Sequence, residues 1–62
     1  MMINYNSLAL AALAYLTAAT KEKSIGEEEW PFSCEFVTGD YLHNLKKCME
    51  YLQLEIDRIS KN

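Results

Sequence analysis

A chain of 62 residues, half of them hydrophobic and with a formal charge of −3, has room for one small domain. Its core alone is marginal, because a domain of this length buries only about 60% of its unfolded surface. The acidic total excludes the broad cationic face that non-specific binding to a nucleic-acid polymer needs, and two cysteines exclude a disulfide scaffold.

Charge is unevenly spread. Residues 1–20 carry no charged side chain, residues 21–40 hold two Lys against five Glu and one Asp, a net of −4, and residues 41–62 hold four basic and three acidic side chains, a net of +1. The apolar run from Leu8 to Ala19 covers 12 residues, short of the roughly 20 that span a bilayer. Met1-Met2-Ile3-Asn4 lacks the basic start of a secretory leader. The expectation is a cytoplasmic protein with reduced thiols and no membrane partner.

The first predicted helix runs over residues 7–21. Asn4 or Asn6 is placed to cap it through a side-chain oxygen, no Gly or Pro interrupts it, and the lysines at its end suit the negative pole of the helix dipole. Leu8, Ala12, Tyr15 and Ala19 make one stripe and Ala11, Ala14 and Ala18 a small-residue stripe, with Leu10, Leu13 and Leu16 on other faces. A helix apolar on every side needs cover from more than one neighbour, which predicts a second copy of the chain.

Residues 24–39 read as a connection, longer than the two to eight residues common between packed helices. It contains the only Trp, the only Pro and both Phe residues. Large apolar side chains in a loop predict a segment that folds back over the helix pair. Trp30 is either an anchor in the groove between the helices or a wall on which a base stacks, worth about 1–3 kcal/mol per base.

The second predicted helix covers residues 40–60, capped by Thr38 or Asp40. Leu42, Leu45, Met49, Leu52, Ile56 and Ile59 repeat at alternating spacings of three and four, the heptad pattern of a packing seam. Beside it, Asn44, Lys47, Tyr51, Glu55 and Arg58 form a second stripe, expected on the outer face. Their amide, cations, phenol and carboxylate suit a phosphate and a base edge. The alternative is a solvated face with Glu55 and Arg58 paired.

Trp30-Pro31-Phe32, Phe36, Asp40, Leu45, Lys47, Cys48 and Leu52, ending in Glu55-Ile56-Asp57-Arg58, resemble a family of small phage-encoded proteins. Those proteins share a Trp-Pro-aromatic loop followed by a helix ending Glu-Ile-Glu-Arg. The likeness covers roughly residues 28–60. The family often has two basic residues where this chain has Leu42 and His43. The resemblance implies a helical phage protein acting inside an infected bacterial host.

Other chemistries are weaker. Glu27-Glu28-Glu29 is consecutive, whereas Mg²⁺ needs near-octahedral oxygens that neighbouring loop carboxylates seldom supply. His43, Cys34 and Cys48 lack zinc spacing, and His43 and Cys48 do not share a helix face as a nucleophile–base pair would.

The combined expectation is an all-α, single-domain protein spanning residues 1–62. It is a two-helix hairpin with a long ordered aromatic loop, assembled as a homo-oligomeric helical bundle, a dimer or larger. It is expected to be no enzyme, with no catalytic residues, metal or cofactor. The expected function is sequestration of a nucleotide-derived host immune signal, a cyclic nucleotide, in an intersubunit pocket. Trp30, Asn44, Lys47, Tyr51, Glu55 and Arg58 are its ligand-binding candidates. The alternative is a protein–protein module, an accessory subunit or inhibitor of a host or phage enzyme.

Overall fold

A computed structural model describes residues 7–61 and contains three helices: α1 (Ser7–Thr20), α2 (Lys23–Glu27) and α3 (Tyr41–Ser60). Among the described residues there is no strand, and α1 packs against both α3 and α2. The expected Asn4 or Asn6 cap lies outside the described residues. No helix among them is long and apolar enough to cross a membrane.

α1 ends one residue earlier than the composition predicts. Lys21 N–H donates to the Thr17 carbonyl at 2.7 Å and Thr20 Oγ1 donates to the Leu16 carbonyl at 2.9 Å. The first bond takes up a carbonyl that the helix end leaves open.

The segment expected to be loop throughout begins with a helical turn, α2. The sequence hides it because five residues are too few for a period, and Gly26 reads as loop punctuation. Here Gly26 is buried against the small-residue stripe of α1. A Cβ at this position would collide with the Ala14 carbonyl oxygen and lie 3.0 Å from Ala18 N and 3.2 Å from Ala18 Cβ. Its backbone φ is not positive, so close approach, and not left-handed geometry, selects glycine. Ala14 and Ala18 of that stripe thus admit α2 within their own chain.

Beyond α2 the chain folds back as the aromatic content predicts. Phe36 is 2% exposed and sits in one buried cluster with Ala12, Ala14, Tyr15 and Cys48, against which Trp30 and Tyr51 pack. Asp40 caps α3, its Oδ1 accepting from His43 N–H at 2.8 Å.

The largest difference from expectation is the rotation of α3 about its axis. Most of the predicted outer stripe turns inward: Asn44 is buried and Lys47, Tyr51 and Glu55 are half-buried, with Cys48 buried beside them, while Arg58 stays exposed at the far end. Of the predicted seam, Leu45 is half-buried, while Leu42, Met49, Leu52, Ile56 and Ile59 are 45–64% exposed. The cause is the competition for one groove. Tyr15, Trp30 and Phe36 bring more area per side chain than the aliphatics, and short Asn44 and Cys48 side chains leave space for them. Tyr51 then stacks on Tyr15, ring centroids 5.9 Å apart. The seam is left to one side.

Candidate functional site

Of the candidate residues, Trp30, Lys47 and Tyr51 come together on the flank of α3 that faces the loop. Trp30 contacts Tyr15, Phe32, Phe36 and Tyr51, with ring centroids 4.9–5.9 Å apart. Its Nε1–H donates to the Cys34 carbonyl at 2.9 Å. It is an anchor of the lid, and its ring is half-buried, so both roles read from the sequence remain compatible with its place.

Phe32 and Tyr51 are half-buried too, their rings 6.3 Å apart and inclined by 34°. Lys47 Nζ lies 5.5 Å from the Tyr51 ring centroid, a cation over an electron-rich face. The same ammonium pairs with Glu50 Oε1 at 3.4 Å, and that bond raises the Lys47 pKa above its ordinary value. The surface therefore combines three partly exposed rings with one positive charge.

Further along α3, Arg58 holds Glu55 with a two-pronged contact: Nε donates to Oε1 at 2.9 Å and Nη2 to Oε2 at 2.8 Å. This hydrogen-bonded pair holds the Glu55 carboxyl below the usual carboxylate range and the Arg58 guanidinium above its own. The pairing weighed from the i,i+3 spacing is thus present.

Asn44 is the exception among the candidates. It is 5% exposed, and both polar atoms of its amide engage Gly39: Gly39 N–H donates to Oδ1 at 3.0 Å and Nδ2–H donates to the Gly39 carbonyl at 3.3 Å. It braces the loop at the head of α3 and does not face outward. Spacing put it on the stripe, and only the position of Gly39 in space shows the amide to be occupied.

Tyr15 and Phe36 organise the cluster without having been candidates. Tyr15 is 3% exposed and its hydroxyl donates to the Val37 carbonyl at 2.6 Å. Burial, the largest influence, raises its pKa. The one aromatic residue on the predicted stripe of α1 was the available signal.

Among the described residues no group of three or more His, Cys, Asp and Glu side chains is placed to hold a metal ion. Burial pushes the Cys48 thiol up from its ordinary value, which keeps it protonated and a poor nucleophile at neutral pH. On the other flank of α3, a groove of about 180 Å³ lies between the helices, lined by Ala9, Ala12, Leu13, Leu16, Cys48 and Leu52. It offers no polar side chain to orient a nucleotide.

The chain matches no protein-family model, and no curated protein and no solved structure is significantly similar to it.

Proposed function

We propose that this chain is a small phage-type binding protein that sequesters a nucleotide-derived host immune signal, a cyclic nucleotide, in a pocket completed by another copy of itself. It performs no reaction on the ligand. The observation that carries this reading is the half-exposed cluster of Trp30, Phe32 and Tyr51 with the Lys47 ammonium above the Tyr51 face. Aromatic faces stack on bases whatever their sequence, and a nearby cation neutralises phosphate. Arg58, held in a defined orientation by Glu55, supplies a planar donor group at the far end of the same stripe. Asn44 acts in this reading by positioning the loop. The resemblance to small phage-encoded proteins supports a host-defence signal as the ligand.

Capture raises the melting temperature by mass action on the folded state. A panel of mono-, di- and cyclic nucleotides should therefore contain at least one that raises it. Lys47→Ala should remove that rise while lowering the ligand-free melting temperature by only a few degrees, because a surface ion pair contributes about 1 kcal/mol at most. No shift across the panel overturns the reading.

A second reading has its own support. Leu42, Met49, Ile56 and Ile59 are more than half exposed, and such a face suits docking onto a host or phage enzyme. That reading predicts an isolated chain that aggregates, so a compact, soluble homo-oligomer counts against it.

A further inference from the structure

The aliphatic seam of α3 forms one continuous face with the groove beside it, through Leu52, which lines both. Leu13 and Leu16 of α1, 44% and 40% exposed, extend that face on the opposite wall of the groove. A monomer's largest apolar patch covers roughly 300–600 Å². Seven half-exposed aliphatic side chains approach the roughly 800 Å² that each partner contributes to a standard interface.

We propose that a second copy of this chain covers the face, with the two α3 helices antiparallel about a two-fold axis. The charges bordering the seam fix the direction. Lys46 lies on its polar edge in the first half of α3 and Asp57 on the same edge in the last turn. Stacking Met49 on the partner's Leu52 sets Leu45 against the partner's Ile56 and Leu42 against the partner's Ile59. In that register each Lys46 falls beside the partner's Asp57, and the helix dipoles oppose. A parallel two-fold instead sets the two polar edges on opposite sides of the seam, so Lys46 and Asp57 do not meet, and the helix dipoles align. The two-fold uses the same patch on both copies, as an isologous interface requires.

This inference rests on the self-association in the proposed function and names the face that carries it. Tyr51 and Lys47 lie on the other flank of α3, so the two-fold contact leaves them open. Any neighbour that encloses them belongs to a further contact between such dimers.

Sedimentation equilibrium of the full chain without ligand tests the proposal. The expected mass is an even multiple of the protomer. Met49→Lys, at a position 64% exposed within the protomer, should weaken association by about tenfold or more with the helical circular-dichroism signal retained. Lys46→Glu should also weaken it, and Lys46→Glu combined with Asp57→Lys should restore it. A wild-type protomer mass at micromolar concentration, or association unmoved by Met49→Lys, overturns the interface. Failure of the double exchange to restore association overturns the antiparallel arrangement. The nucleotide melting panel on the wild-type chain is a separate readout: failed capture leaves the interface standing, and association that Met49→Lys does not move overturns this face while leaving capture by an oligomer standing.

Discussion

Asn44 grips Gly39 by both backbone polar groups, accepting from its N–H at 3.0 Å and donating to its carbonyl at 3.3 Å. The pair joins the last residue but one of the loop to the first turns of α3, and the Asp40 cap lies between them. A short amide at the buried head of a helix thus sets the direction in which the aromatic lid returns. Asn44→Ala removes both bonds and strands two backbone groups, each costing about 1–3 kcal/mol where water cannot reach it. The expected loss is about 2–3 kcal/mol in urea unfolding, reflecting partial access of water. Asn44→Asp keeps the acceptor but sets a largely buried carboxylate against the Gly39 carbonyl, so it should lose at least as much at pH 7; a much smaller loss would show that water reaches the amide.

The two glycines should respond differently to alanine. At Gly26 the new methyl meets the Ala14 carbonyl and the Ala18 amide, backbone atoms that cannot move without separating α1 from α2. Overpacking of this kind costs about 1–3 kcal/mol. At Gly39 the methyl meets the root of the His43 side chain, Cγ at 2.7 Å and Cβ at 3.0 Å; the exposed ring can rotate, which relieves part of the clash, whereas the backbone atoms met at Gly26 relieve none. Thermal melts of Gly26→Ala and Gly39→Ala should rank in that order.

Trp30→Ala removes four ring contacts and the Nε1–H bond to the Cys34 carbonyl. A loss of about 3 kcal/mol is expected, the lower end for a large core aromatic because the ring is only half-buried. In a domain this small each kcal/mol moves the melting temperature by roughly 4–8 °C. An unchanged melt would show that Trp30 does not anchor the lid.

Tyr15 makes stability sensitive to alkali. Its folded pKa is raised above the ordinary value of 10.0, by burial first and then by Tyr51, Cys34 and Glu50, with Lys47 opposing. A group whose folded pKa is raised contributes stability that is complete below the unfolded pKa and is lost as pH rises through the folded one. The Lys47–Glu50 bond acts in the same direction. The difference between wild type and Tyr15→Phe isolates the phenol. It should be about 1 kcal/mol in favour of wild type at pH 7, the worth of one hydrogen bond. Above pH 10 it should shrink as the unfolded phenol ionises first. A difference constant from pH 7 to 12 would show that burial does not raise the Tyr15 pKa in the folded protein.

The amino-acid sequence by itself determined the two long helices, to within a residue at each described end, because period, cap and dipole are local properties. It also determined that the loop would fold back, since Trp30, Phe32 and Phe36 have no other means of leaving water. Only the tertiary structure decided which side of α3 faces inward. Two stripes, one aliphatic and one carrying Asn44, Cys48 and Tyr51, competed for a single groove, and helical spacing ranks neither. The choice fell to the shape of the opposing surface: rings from Tyr15, Trp30 and Phe36 fill the space that short side chains leave. The same competition turned Asn44 into a brace, left Lys47 above the Tyr51 ring and set the aliphatic seam outside the protomer's own core. Such contacts join residues as distant in the chain as Tyr15 and Tyr51, and no local pattern in the sequence encodes which of them will meet.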